Sequence, residues 1–137
     1  MNLRSFFTTI EIVRFAKFAV VGVVGLVLNT VLLYVLTTFV FGERLYLVAA
    51  VLSLEASILN NFLLNEYWTF KDRVVSGGFF KRMLKFHGSR VLGAATSIVV
   101  LFLLTEYIGL HYLLSNLVGV VLGTAVNYLT SNFWVWA

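Results

Sequence analysis

Four long apolar runs separated by short polar stretches dominate the chain. The first, residues 18–41, is 24 residues without a charge; at about 1.5 Å per helical residue it reaches about 36 Å, enough to cross roughly 30 Å of hydrocarbon with some tilt. A second run, residues 46–68, is interrupted by Glu55 and a few amides, and Gly42, Glu43 and Arg44 join the two into a hairpin. One hydrophilic loop follows, residues 69–90, and then runs at 91–107 and 113–136. The third is the shortest, spanning fully only if Arg90 or Glu106 lies at an interface. Within the loop, Gly78 to His87 reads GFFKRMLKFH. Helical spacing puts Phe79, Phe80, Met83, Leu84 and Phe86 on a broad apolar arc with Lys81, Arg82 and Lys85 outside it, which predicts a short interfacial amphipathic helix between the second and third spans. The pattern as a whole predicts an all-α integral membrane protein: one membrane domain over residues 1–137 with four transmembrane helices.

Composition sharpens this. With 61% hydrophobic and 12% charged residues in 137, and a mean hydropathy of +0.97, there is more apolar surface than a core of this size hides, which excludes an ordinary water-soluble globule. The first apolar run starts too late and lasts too long for a cleavable signal, so it is expected to stay in the mature protein. Nine of the ten basic residues, Arg4, Arg14, Lys17, Lys71, Arg73, Lys81, Arg82, Lys85 and Arg90, fall on one side of a four-span arrangement, with Arg44 alone on the other. The positive-inside rule then places both termini and the middle loop in the cytoplasm, as expected of a multi-pass protein of the cytoplasmic membrane. The net charge of +4 is thereby topological, with attraction to anionic membrane lipid, and calls for no nucleic acid partner. Without cysteine there are no disulfides or thiolate sites. His87 and His111 have no ligand companions in the sequence, and no Ser-His-Asp or paired-carboxylate pattern stands out, so no catalytic residue, metal or cofactor is expected and the chain does not read as an enzyme.

The most specific feature is self-similarity. NFLLNEYWTF, Asn61 to Phe70, matches NYLTSNFWVW, Asn127 to Trp136, at a constant offset of 66 residues. Upstream, Arg14 to Gly25 faintly echoes Lys85 to Thr96, with Phe15 over Phe86 and Gly22 over Gly93. Each repeat is thus a two-helix hairpin, and because it contains an even number of spans the two copies are expected in parallel, with a pseudo-symmetry axis along the membrane normal. An opening of Phe15, Phe18, Val21 and Gly22, a mid-membrane Asn29, and two endings of the form N-[FY]-L-x-[NS]-x-x-W make the chain resemble the GtrA family. That resemblance implies a small four-span protein handling polyprenyl-phosphate-linked sugars, either a translocase or an accessory to one.

Ser57, Asn61, Asn65 and Trp68 follow one helical face of the second span, and Gly123, Asn127, Ser131 and Trp134 repeat it in the fourth. Such a face turned to lipid would cost several kcal/mol in unsatisfied hydrogen bonds, so it must meet protein, water or a ligand headgroup. Joining helices and contacting sugar or phosphate are both compatible with it. Glu55 lies near the midplane, where a charge costs at least about 2.5 kcal/mol. It is a candidate for bonding to Asn29, for contacting sugar hydroxyls or for proton exchange. Arg14, Lys17, Arg82, Lys85 and Arg90 are expected at the cytoplasmic face, suited to a lipid phosphate or to simple anchoring. Gly22, Gly25 and Asn29, and the Gly119–Gly123 pair, read as close-packing patterns, and Asn29 is also a candidate sugar contact with the polar faces of the second and fourth spans. Trp68, Phe70, Trp134 and Trp136 are placed in an inner aromatic belt, and Tyr46, Tyr107 and Tyr112 in an outer one. Four short helices leave little room to enclose a sugar, so a homo-oligomer, most simply a dimer, is expected. The function expected is translocation of a polyprenyl-phosphate-linked monosaccharide along Asn61, Asn65, Asn127 and Glu55. The alternatives are a scaffold for a glycosyltransferase and a small-solute exporter.

Overall fold

The structure is a computed structural model and describes residues 8–137, so Arg4 lies outside the described residues. Helix α1 runs over Thr9–Val35 and continues as a wide π-helical turn, Leu36–Phe41. After a single 3₁₀ turn come α2 (Tyr46–Leu64), which ends in a π turn at Asn65–Thr69; α3 (Phe79–Glu106); and α4 (Tyr112–Thr130), ending in a π turn at Ser131–Val135. All four are long and apolar enough to cross a membrane. The described residues contain no strand. The first helix begins at Thr9 rather than at the first apolar residue because the Thr8 hydroxyl accepts from the Glu11 N–H at 3.4 Å, capping an orphan donor. Gly42, with φ of 77°, and Gly109, with φ of 78°, turn the chain between the paired helices in the left-handed conformation that glycine adopts without strain.

One expected element is corrected. The amphipathic stretch between the second and third spans is no separate helix: it forms the first turns of α3, which is unbroken over 28 residues from Phe79 to Glu106. The sequence offers no proline there, and once a helix is nucleated each added residue gains a hydrogen bond. Gly88 causes no break because its bare backbone is where the Trp134 ring packs, 3.1 Å from where a Cβ would stand.

The chain forms two compact units, residues 1–72 and 73–137. In the first, α2 turns a line of residues four apart inward: Ala49, Ser53, Ser57, Asn61, Asn65 and Thr69 are all buried. Small side chains on this line let α1 approach closely. The Ser57 hydroxyl donates to the Gly25 carbonyl at 2.7 Å, and the Asn61 amide fills the notch that Gly25 leaves, where a Cβ would collide with it. Phe18 meets Phe70 edge to face at 6.4 Å. In the second unit the inward line of α4 is Ser115, Gly119, Gly123, Asn127, Ser131 and Val135. Ser97 of α3 donates across to the Gly119 carbonyl at 2.9 Å, Asn127 fills the notch at Gly93, and Phe86 meets Trp136 at 5.5 Å. The hydroxyls of Ser89 and Thr130 bond at 2.5 Å.

These contacts correct the register expected for the first helix of each hairpin. Phe18, not Phe15, makes the contact in the first unit that Phe86 makes in the second, and Gly25, not Gly22, receives its asparagine as Gly93 does. Phe15 is exposed, and Gly22 has open space around its α-carbon. The offset between the inner contacts of α1 and α3 is therefore 68 residues, from Phe18 to Phe86 and from Gly25 to Gly93. The belt is corrected as well: Phe70 and Trp136 are buried against these phenylalanines, while Trp68 and Trp134 remain partly exposed.

Candidate functional site

The inward line of α2 was expected to end at Trp68, three residues after Asn65; it ends instead at Thr69, four after it. The π turn is the cause. Bonding from residue i to i+5, seen where the Phe70 N–H reaches the Asn65 carbonyl at 2.9 Å, lengthens the repeat, so the fourth residue on stays in line and the third swings out. The turn at Ser131–Val135 does the same, closed by Trp136 N–H on the Ser131 carbonyl at 2.9 Å, with Val135 inside and Trp134 outside.

Swung outward, Trp68 becomes one wall of a groove of about 250 Å³ at the N-terminal end of α1. Ile10 and Val13, both exposed, supply an apolar lip, and Arg14, Lys17 and Lys71 supply positive charge. Arg14 is 6% exposed. Its guanidinium is held by two carboxylates: Nη1 bonds Glu11 one turn back, and Nη2 donates to Asp72 Oδ2 at 2.7 Å. The Asp72 side chain is itself 55% exposed. The Lys17 ammonium lies 5.5 Å from the centre of the Trp68 ring, a cation–π contact that fixes the lysine at the rim. Thr69 lines the same groove with its hydroxyl buried and without a hydrogen-bond partner. A groove with cations and an aromatic wall at one side and an apolar lip at the other fits an amphiphilic phosphate, the acid group toward Arg14 and Lys17 and the hydrocarbon along Ile10 and Val13.

Of the predicted headgroup residues, this groove gathers Arg14 and Lys17. Arg82, Lys85 and Arg90 belong to the second unit, each with contacts there. Arg82 donates to the Gly77 carbonyl at 2.7 Å, Lys85 to the Trp134 carbonyl at 3.2 Å, and the Arg90 guanidinium lies 4.2 Å over the Phe86 ring. Among the predicted sugar contacts, Ser57 and Asn61 pack between α1 and α2, and Asn127 between α3 and α4. In the orientation that satisfies its amide, Asn127 donates to the Ser89 carbonyl at 2.8 Å and accepts from Arg90 at 3.3 Å. Asn65 and Ser131 are fully buried, with amide and hydroxyl atoms that no hydrogen bond satisfies. Asn29 is half-buried, and Glu55 is exposed on the side of α2 away from the inward line.

Sequence reasoning passed over Glu11, Lys71 and Asp72. The signal was the position of Arg14 at the edge of an apolar span, where a cation held out of water calls for a carboxylate partner. Glu11 stands three residues before it, on the same helical face.

The profile of the GtrA/DPMS transmembrane domain matches residues 17–136. A dolichol-phosphate mannosyltransferase of Pyrococcus furiosus is 39% identical over 127 residues, which cover 93% of this chain. The chain spans about a third of that relative's length, 35%. With four helices able to span a bilayer and a family profile covering nearly all of them, the chain is a multi-pass membrane protein of the GtrA/DPMS transmembrane domain family.

Proposed function

We propose that this protein binds a polyprenyl-phosphate-linked monosaccharide by its phosphate and carries the sugar across the cytoplasmic membrane for surface glycoconjugate synthesis. The groove of Arg14, Lys17 and Trp68 carries this reading, because it sets cations and an apolar lip side by side at one end of a spanning helix. On this reading the two units are copies of one hairpin, parallel in the membrane, with the groove end cytoplasmic and the assembly a dimer. Asn65 and Ser131, each fully buried with unsatisfied polar atoms, are among the residues of the two inward lines with hydrogen-bonding capacity to offer a passing headgroup. Asn61 and Asn127 chiefly hold the hairpins together and set the path's width.

The test is reconstitution of the purified chain in vesicles with a labelled lipid-linked sugar. Movement of the label to the opposite leaflet without any transferase is the expected result, and none above protein-free vesicles overturns it. A second reading, a membrane platform for a glycosyltransferase, is favoured by the relative whose name is a transferase and of which this chain spans 35%. Absent flipping together with co-purification of a transferase selects it.

Glu55 divides the ways translocation could be driven. It is exposed on α2, and the Glu55→Gln variant keeps hydrogen-bonding capacity while losing the exchangeable proton. We expect it to retain flipping within about twofold, since an amide replaces most of a carboxyl group's hydrogen bonding. Loss of flipping that tracks an imposed proton gradient would instead make Glu55 the proton carrier.

A further inference from the structure

The two hairpins each carry a cleft at the end where the first helix turns into the second, and the clefts are lined alike. In the first unit it measures about 390 Å³ and includes Leu33, Tyr34, Thr37, Thr38 and Tyr46. In the second it measures about 490 Å³ and includes Leu101, Phe102, Thr105, Glu106 and Tyr112. Counting with the offset of 68 in the first helix of each hairpin and 66 in the second, these residues correspond one to one, Thr37 with Thr105 and Tyr46 with Tyr112.

The linings differ at four positions: the second cleft has Ile98 and Phe102 where the first has Thr30 and Tyr34, and at two more it gains polar groups. Where the first cleft has Thr38, the second has Glu106, and where the first unit has Ala50, the second cleft has Asn116. Both Glu106 and Asn116 are exposed, so neither serves to bind helix to helix as Asn61 and Asn127 do. Asn116 stands one helical turn beyond Tyr112, on the same face of α4, and Glu106 ends α3. The cleft therefore brings a carboxylate, an amide and a tyrosine together with the apolar Leu101 and Phe102. Its volume lies within the range of small-ligand sites.

That set matches a pyranose. A carboxylate accepts from adjacent hydroxyls, an amide both donates and accepts, and an aromatic ring covers the C–H face of the sugar that a polar pocket would leave in water. A hydrocarbon chain would gain nothing from Glu106 and Asn116, and would leave both without partners in an apolar complex.

We infer that the cleft formed by Glu106, Tyr112, Asn116 and Phe102 binds one hexose through its hydroxyls. That this hexose is the one attached to the polyprenyl phosphate rests on the function proposed above; the binding itself does not. On that reading it is a receiving site at the end of the hairpin away from the α3 cations, and its absence from the first hairpin makes the two copies unequal.

The test uses the full chain in lipid nanodiscs and the free hexoses D-mannose, D-glucose and D-galactose, followed by saturation-transfer NMR. At least one hexose is expected to give a signal, with Asn116→Leu weakening its binding about tenfold and Glu106→Gln several-fold, as loss of one or two hydrogen bonds implies. Gly22→Ala, at a position with open space around it in the first unit, should leave it unchanged. Melting temperature is read for each variant, and because both residues are exposed it should not move. No signal from any of the three sugars, or equal signals from wild type and Asn116→Leu, overturns the proposal. Sugar-free polyprenyl phosphate is titrated in parallel. Hexose binding with no phosphate-lipid binding would leave the cleft standing and remove the headgroup groove, whereas the reverse would remove the cleft alone.

Discussion

Gly123→Ala is expected to lower the melting temperature of the detergent-solubilised protein sharply, while Gly22→Ala leaves it unchanged or raises it. A Cβ at Gly123 would stand 2.6 Å from the Gly93 carbonyl and would run into the Ser97 hydroxyl. The carbonyl is helix backbone and cannot turn aside, so α3 and α4 must part. Parting weakens the Ser97 bond to Gly119, 2.9 Å long, and opens the Phe86–Trp136 contact, whose ring centres lie 5.5 Å apart. Overpacking of this kind costs about 1–3 kcal/mol, with about 0.6 kcal/mol more for each interhelical hydrogen bond lost. At Gly22 nothing stands within 4 Å of the added methyl, and the helix gains up to about 1 kcal/mol from alanine's propensity. Gly25→Ala should fall between the two, because its methyl meets the Asn61 side chain, which can swing. Equal shifts at Gly22 and Gly123 in circular-dichroism melts would show that the hairpin does not depend on this close approach.

That contrast also marks what the chain discloses before folding. Spans were legible because hydropathy and length act over twenty residues at a time and lipid enforces them. The inward asparagines were legible too, as Asn61 and Asn127 stand in a motif repeated at an offset of 66 residues. Which glycine receives each one was not, since both Gly22 and Gly25 lie on plausible faces of α1 and only the partner helix chooses between them. The π turns were equally hidden. Their i to i+5 bonds leave no compositional mark in NEYWT or SNFWV, yet they decide that Trp68 faces the groove while Thr69 goes inside. The amphipathic segment before Arg90 was legible as a helix but not as a continuation of α3, because nothing in its period says where an interfacial helix ends and a spanning one starts. The headgroup cluster was half legible: charge type and depth pointed to Arg14 and Lys17, but Asp72 is 58 residues from Arg14 in sequence, and such a pair needs the fold to bring it together.

Asp72 is the residue whose removal should strengthen the protein's hold on its lipid. Both terminal nitrogens of Arg14 are paired, with Glu11 and with Asp72 at 2.7 Å, and its Nε is buried, so a phosphate entering the groove must displace one carboxylate or share the guanidinium with it. Asp72 is the one that yields: its side chain is 55% exposed against 19% for Glu11, and water compensates it when it leaves. In Asp72→Asn the negative charge is gone and Arg14 presents its Nη2 to an incoming phosphate. With its carboxylate 55% exposed the pair is screened by water and worth about 0.2–1 kcal/mol, so polyprenyl phosphate affinity should rise by a factor of about 1.5–5. Arg14→Gln should do the opposite with a larger effect, because a hydrogen bond to a charged group contributes about 1.5–3 kcal/mol and its loss weakens binding by about 10–150-fold. The opposed signs separate this from a structural role. If Arg14 only tethered the start of α1 to the chain beyond Trp68, cutting the tether from either end would loosen the groove and both variants would bind less. Titration of polyprenyl phosphate into nanodiscs bearing each variant, with melting curves alongside, reads the difference directly: an Asp72→Asn protein that binds more weakly than wild type removes the phosphate from Arg14.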